Sequence, residues 1–577
     1  MNMYPYLEAM KEILERDPDA KRQFMAIHAP VTVCTPLADA RRELRVMADG
    51  ELRCYGSINK THVEDRGEAA YLSSTDCGMS WKLKFKKDDD IGAAVQSPYT
   101  GRWVTVRGNM VYLDDGDGLR WHKIIEEPLN CMFQPVFLTH RNRCLVAGQT
   151  DQKTGCIPTV LISDDDGETW KTVTLPKPPV YEPTWPDVDV RWLTCGSEPT
   201  LAELPDKTLM MLIRNGWNRF YVSYSHDDGD TWSNPEPSIF YSTITTPHIY
   251  RLSDGRVLCT WCNTTPLPEV NHRLQPETKD FCRSGRGEDA FTNRDAAHAA
   301  ITEDGLHWKG FREVLLNPIR NEPDFRIAGG KESSRDKSIH QSQILELPYN
   351  KIMVYYGQHT ASRRVVIFDL DWLLAGEREE VFDNGLSGIS TQTYVKSLSD
   401  TFVRLGYPGH CAWNRTDGPL LMPDPTELGK ESLQICRIDD PRLVSPVQGA
   451  VWNFPSARKG TLEVELQVMG EGVRVTLMDR WMNPIDTTVR DRCPLSFVVD
   501  KQVTEDDARH MLKVVWDLDE DVALVYLDDV KKFRVPLRYT AGDLAPVGFS
   551  YVHFHSVAQS PDSLGTYLSR LHMVSAE

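Results

Sequence analysis

No stretch of this 577-residue chain approaches the ~20 apolar residues needed to span a bilayer. Its start lacks the uninterrupted apolar core and cleavage site of a secretion signal, because Glu8, Lys11, Glu12, Glu15 and Arg16 interrupt Met1 to Ala20. Tyr4, Leu7, Met10, Ile13 and Leu14 recur there at helical spacing and predict a short amphipathic helix. A cytoplasmic protein without membrane contact is therefore expected. The 13 cysteines, an odd number, follow no framework spacing. Cys259 and Cys262 form a C-x-x-C inside a strand-like run, with no second pair to complete a zinc site, so buried free thiols and no metal or cofactor are expected. Basic residues are dispersed and outnumbered 65 to 83, for a net charge of −18. That balance excludes nucleic acid as a partner but allows a small anion in one focused basic pocket.

What the chain does have is a repeated turn. Ser74 to Trp81, Ser163 to Trp170, Ser225 to Trp232 and the shorter Thr302 to Trp308 each run hydroxyl residue, Asp, Gly, Trp, and Asp114 to Trp121 reads as a degenerate fifth copy. In such a hairpin the carboxylate accepts backbone N–H bonds, glycine takes φ > 0 and the indole covers the apolar side. A second repeat, strand–turn–strand, recurs at Arg45–Tyr55, Val136–Val146, Leu201–Ile213, Ile249–Trp261 and Ile344–Tyr356. Four strands per unit, counted from Val31 to about Asp383, predict an all-β, six-bladed β-propeller. Residues 1–30 are then the N-terminal helix and lead-in, and 31–383 the propeller. Residues 384–442, rich in Gly, Pro, Ser and Thr, read as a linker packed on it. From 443 to 577 short alternating strands predict a C-terminal β-sandwich of jelly-roll or lectin-like type.

The repeated turns, with the inner hairpins, resemble the Asp-box or bacterial neuraminidase repeat of the sialidase superfamily over residues 31 to 375. The resemblance implies a site at the propeller axis in which three arginines hold a sugar carboxylate, as bidentate guanidinium groups suit. It assigns a catalytic glutamate to Glu198, in Gly196-Ser-Glu-Pro-Thr200, and the second arginine to Arg214. Arg294 resembles the third. Arg41 or Arg42 stands at the distance of the first, although the usual Phe/Tyr-Arg-Ile-Pro signature is absent. Aligned from Trp81, Lys60 falls where sialidases often carry a further arginine, and Glu64 or Asp65 near the acid/base aspartate.

The departure lies at the nucleophile. Sialidases use a tyrosine before the last inner strand; here Gln341 occupies that slot, with His340 beside it and Gly357 where the family has a glutamate. The chain is a divergent member in this respect. An amide cannot attack an anomeric carbon, so an activated water or His340 would have to serve. His248 and His298 could add to a mouth lined with histidines.

The expected function is an exo-acting carbohydrate-active enzyme that hydrolyses a glycosidic bond of an acidic sugar, sialic-acid-like or uronic. Catalysis would fall to Glu198, His340 and Glu64 or Asp65, and substrate binding to Arg41, Arg42, Lys60, Arg214, His248, Arg294 and Gln341. The partner would be an acidic oligosaccharide, and a homo-oligomer is compatible. A uronate lyase with a His base, and a non-catalytic sugar-binding propeller, stand as alternatives.

Overall fold

The computed structural model describes residues 2–37, 43–58, 68–152, 155–179, 195–215, 219–242, 245–264, 294–316, 339–357, 362–395, 414–443, 445–537 and 547–576. Each repeated turn forms as its chemistry dictates. The carboxylates of Asp76, Asp165, Asp227 and Asp304 accept the backbone N–H groups of Ser80, Thr169, Thr231 and His307 at 2.9, 2.8, 2.8 and 2.7 Å. The indole N–H groups of Trp81, Trp170, Trp232 and Trp308 donate to the carbonyls of Gly78, Gly167, Gly229 and Gly305. These glycines lie at φ +89, +93, +94 and +77. Close approach demands glycine as well: an added Cβ would stand 2.4 Å from Met353, 2.9 Å from Leu113, 2.6 Å from Leu145 and 2.7 Å from Leu204, each on the preceding sheet. The motif is thus a spacer between neighbouring blades. At Asp114–Trp121 the strand connection is retained, but Trp121 is 60% exposed and leaves the turn uncovered.

The turns link the third and fourth strands of four-stranded antiparallel sheets, of which the described residues form six. Blade I comprises Leu44–Val46, Leu52–Ile58, Glu68–Ser74 and Lys82–Phe85; blade II Val95–Gln96, Trp103–Arg107, Met110–Asp114 and Leu119–Lys123; blade III Val136–Phe137, Cys144–Gln152, Gly155–Ser163 and Lys171–Thr174. Blade IV comprises Cys195–Glu203, Leu209–Asn215, Arg219–Ser225 and Glu236–Tyr241; blade V His248–Arg251, Val257–Trp261, Ala296–Thr302 and Trp308–Leu316. Blade VI takes Gln343–Leu347, Lys351–Tyr356 and Arg364–Asp369 from late in the propeller and its outer strand, Val31–Cys34, from the beginning. Val31 pairs with Ile367, which closes the ring.

The lead-in holds two helices rather than one, α1 (Pro5–Arg16) and α2 (Pro18–Met25). Tyr6, Leu7, Met10, Leu14 and Phe24 are buried against Leu52, Leu345, Leu347, Met353 and Ile367 of blades I and VI. The Tyr4 hydroxyl donates to the Arg251 carbonyl at 2.7 Å, and the Tyr6 and Tyr250 hydroxyls meet at 3.2 Å. Met3 to Tyr6 therefore lie across the axis at the end where the inner strands finish, beneath a cavity of about 210 Å³. The mouth is the opposite end, where the inner strands begin.

The described parts of residues 384–442, namely 384–395 and 414–442, are not a linker on the propeller. Ile389–Ser390 pairs with Gly449–Ala457, Leu420–Pro423 with Glu431–Arg437, and the latter with Asp562–Ser575, as does Glu377–Glu380. They complete a β-sandwich of one eight-stranded and one five-stranded sheet around a core that includes Trp452, Phe454, Trp516 and Phe554. The Gly/Pro/Ser/Thr content hid them because these strands are short and their partners are distant in sequence. No helix among the described residues is long and apolar enough to cross a membrane.

A buried polar seam joins the sandwich to blade V. The Tyr551 hydroxyl donates to Glu313 at 2.7 Å and meets His298 Nε2 at 2.5 Å. Asn263 donates to the Asp479 carbonyl at 2.8 Å and accepts the Trp481 N–H at 2.9 Å.

Within the sandwich, burial holds His553 down at about 4 and also holds His555 well below the ordinary histidine value. Below the ordinary histidine value of about 6.5 the unfolded chain takes up a proton that folded His553 refuses, so stability falls as pH drops from about 6.5 to 4. The expected loss is about 3 kcal/mol by pH 4. Thermal melts across that window should show it, and a profile flattened in the double variant His553→Gln, His555→Gln but only in part by either single change should identify its source.

Candidate active site

Blade IV supplies the centre of the site. Its inner strand, Cys195–Glu203, does not run straight: its pairing register shifts between Cys195 and Ser197 and again before Thr200. Gly196 takes φ +82, where a Cβ would meet the Cys156 carbonyl at 2.2 Å, and Glu198 takes φ +44. A left-handed glutamate is an uncommon conformation that surrounding contacts must hold. Here Gln149 of blade III reaches across, its Oε1 accepting the Glu198 N–H at 2.7 Å, while its Nε2 contacts Cys156 Sγ at 3.1 Å. Glu198, only 7% exposed, is thereby turned to face Arg214 on the next strand, whose Nη1 donates to Oε2 at 2.6 Å. The Thr246 hydroxyl, from the lead-in to blade V, donates to the same oxygen. Three blades therefore meet at one residue, blade III at its backbone and blades IV and V at its carboxylate.

A second pair stands one blade further round. Arg294, fully buried at the start of the third strand of blade V, brings Nη1 to 3.4 Å from Nε2 of His340, itself 3% exposed. A guanidinium only donates, so this ring nitrogen is the acceptor and the imidazole proton belongs on Nδ1. The Ile339 N–H donates to the Arg294 carbonyl at 3.2 Å and ties the two lead-ins together. Gln341 follows at φ +67 and is also buried. Two of the residues picked from the sequence, Glu198 and Gln341, thus adopt the left-handed conformation at the mouth ends of inner strands.

The structure brings Glu198 together with Arg214, and Arg294 with His340, on adjacent blades at the same end. It moves both other histidines away. His248 lines the axial cavity, accepts the Ile344 N–H on Nδ1 at 3.2 Å and stacks on Phe133. It is a clamp between blades V and VI rather than a ligand of the mouth. His298 belongs to the seam with the sandwich. Their positions beside strand starts misled because facing direction depends on the neighbouring blade. Arg41, Arg42, Lys60, Glu64 and Asp65 lie outside the described residues. Among those described, no group of three His, Cys, Asp or Glu side chains is placed to hold a metal.

Sequence reasoning missed Gln149 and Thr246. Each stands in a different blade from Glu198, and neither residue type announces such a role. Gln149→Leu removes the acceptor that holds Glu198 in its left-handed turn. A displacement of about 1 Å at a reacting group costs about 100-fold in rate. We expect a loss of that order in kcat on any substrate the protein turns over, with the melting temperature lowered by only a few degrees.

Residues 42–318 match the family model of the BNR repeat-like domain. No curated protein matches the sequence. Among solved structures, the chain is similar to a Trypanosoma rangeli sialidase in complex with sialic acid, at 12% identity over 93% of this chain and 91% of that one, with a TM-score of 0.34. A protein of unknown function from Dyadobacter fermentans is similar at 15% identity over 59% of this chain and 98% of that one, TM-score 0.35. NanB is similar at 14% identity over 58% and 69%, TM-score 0.35. With their repeated Asp–Gly–Trp turns and four-stranded blades, residues 42–318 carry a BNR repeat-like domain.

Proposed function

We propose that this propeller is an exo-acting enzyme that hydrolyses the glycosidic bond of an acidic sugar, sialic-acid-like or uronic. The observation that carries the reading is the buried Glu198–Arg214 pair, one blade from Arg294 and His340. Desolvating ionisable groups at the mouth is costly, and a neutral sugar site has no need of it. Arg214 and Arg294 hold the sugar carboxylate. Glu198, already accepting from Arg214 and Thr246, serves as the carboxylate that takes a proton from the attacking water. Water is the nucleophile in this scheme because Gln341 cannot be one. Glu64 or Asp65 supplies the acid, and His340 contacts the reacting ring. Work in the cytoplasm is supported by the described cysteines, nine of ten of which are buried as free thiols.

A lyase is the second reading, favoured by one contact. His340 presents an acceptor nitrogen next to Arg294, which is the arrangement that proton abstraction beside an arginine-held uronate requires. Incubation with a panel of acidic oligosaccharides decides between the two. Release of an acidic monosaccharide without ultraviolet absorbance supports hydrolysis, and an absorbing unsaturated product supports the lyase. Saturable binding without any product would leave a sugar-binding propeller and sink both.

A further inference from the structure

The cavity on the propeller axis lies beneath the mouth and takes no part in the chemistry proposed there. Thr200, His248 and Gln343 line it, each two residues further along the chain than Glu198, Thr246 and Gln341. At about 3.3 Å per extended residue that is a step of roughly 7 Å. The space exists because blades II, III and IV line it with the buried alanines Ala94, Ala147 and Ala202. Aromatic rings supply another part of the wall. Phe133 stacks on His248 with centroids 5.7 Å apart and 19° between the planes, and Tyr250 follows two residues after His248. Val46, Val95 and Val136 also line the cavity, and each keeps accessible surface although it packs against a core cluster. Met3 to Tyr6 close the floor.

The charged groups around this space are committed elsewhere. Arg45 donates to the Gly92 carbonyl at 2.9 Å and faces Asp90 at 3.4 Å. Glu203 accepts the Thr139 N–H at 2.8 Å and faces His140 at 3.0 Å. The Arg251 guanidinium turns onto its own hairpin, with Nη1 on the Leu252 carbonyl at 3.3 Å and Nη2 beside Gly255. His248 accepts the Ile344 N–H on Nδ1, so it is neutral with its proton on Nε2. One polar atom stands apart. Gln134 donates Nε2 to the Leu44 carbonyl at 3.1 Å, which fixes the amide, and no described residue donates to its Oε1. The volume then sets the size of an occupant. A cavity of about 150 Å³ lined by aliphatic and aromatic side chains holds one benzene, and this one is about 210 Å³. We propose that the axial cavity is a binding site for a small, uncharged, flat molecule of two fused rings that carries one N–H or O–H donor for Gln134. The site is separate from the mouth and does not depend on what the mouth hydrolyses.

Calorimetric titration of the full chain with indole should give saturable, one-to-one binding. Benzofuran has the same shape with a ring oxygen in place of the N–H, and should bind ~10-fold more weakly, the worth of one hydrogen bond left unmade at a buried acceptor. Indole-3-acetate, whose carboxylate finds no uncommitted cation in the cavity, should also bind at least ~10-fold more weakly than indole. Val46→Phe and Val136→Phe fill the space from two different blades, and each should abolish indole binding. Thermal melts show whether these variants are folded. Gln134→Leu addresses the same contact without adding bulk, and should bring indole and benzofuran to equal affinity. No saturable binding of indole would leave the cavity to water and overturn the site. So would binding retained in Val46→Phe and Val136→Phe variants that melt like the wild type, an indole preference that survives Gln134→Leu, or tighter binding of the acetate.

Discussion

Glu198→Gln is expected to lower kcat on the responsive acidic oligosaccharide by about 10²- to 10⁴-fold, the usual contribution of a positioned acid or base. The variant keeps the shape of the side chain and an acceptor for the Thr246 hydroxyl, but it cannot take a proton. It also withdraws the negative charge that occupies Arg214 at 2.6 Å. Two consequences separate a catalytic role from a binding one. The freed guanidinium is more available to a substrate carboxylate, so KM should stay level or fall while kcat collapses. Removing one partner of a buried ion pair leaves the other poorly compensated, so stability should drop by about 3 kcal/mol. Steady-state kinetics and a thermal melt on the same preparation read both. Unchanged kcat with a raised KM would make Glu198 a binding residue and end its assignment as the base.

A chain beginning at residue 35 is expected not to reach a soluble folded state. It loses Val31–Cys34, the outer strand of blade VI, and with it the hydrogen bonds to Arg364–Asp369. It also loses α1 and α2, whose Tyr6, Leu7, Met10, Leu14 and Phe24 are buried against blades I and VI. At roughly 2 kcal/mol for each fully buried large apolar side chain, these five contribute about 10 kcal/mol, comparable to the whole stability of a typical domain. Leu14→Ala, fully buried in the same cluster, gives the graded version, with an expected loss of about 2–5 kcal/mol in chemical unfolding. Soluble, cooperatively melting protein from the truncated chain would show that the ring closes without its first strand.

The sequence made the propeller legible because its signals are local. An Asp, a Gly and a Trp within eight residues define a turn wherever the chain carries it, and alternation defines the strands on either side. How the last blade closes was not legible, since nothing in Val31–Cys34 says that its partner is Val365 to Ile367. The strands within 384–442 escaped for the same reason, and short length made them weaker still. At the mouth, Glu198 and Arg214 were singled out by the resemblance of Gly196 to Leu204 and the strand after it to the superfamily's site stretch, which is also a local signal. Gln149, which holds the Glu198 backbone, and Thr246, which holds its carboxylate, come from blades III and V and could be found only from coordinates. His248 and His298 show the converse. Their place in the strand was right and their facing wrong, because the neighbouring blade in one case and the sandwich in the other takes up the imidazole.

Closing the ring with the first strand also sets a clock on biosynthesis. Val31 is made early, but its partner Ile367 emerges roughly 340 residues later, an interval of about 20 s to 1 min at ordinary translation rates of ~5–20 residues per second. Throughout that time the strand edge is unpaired and the apolar faces of α1 and α2 have only the blade I half of their seat, while the blades between them form one after another. The nascent chain is therefore an open arc with two sticky ends for most of its synthesis. Slowing translation within blade VI, or depleting holdase chaperones, should harm its yield more than the same treatment applied to a propeller whose last blade is continuous in sequence.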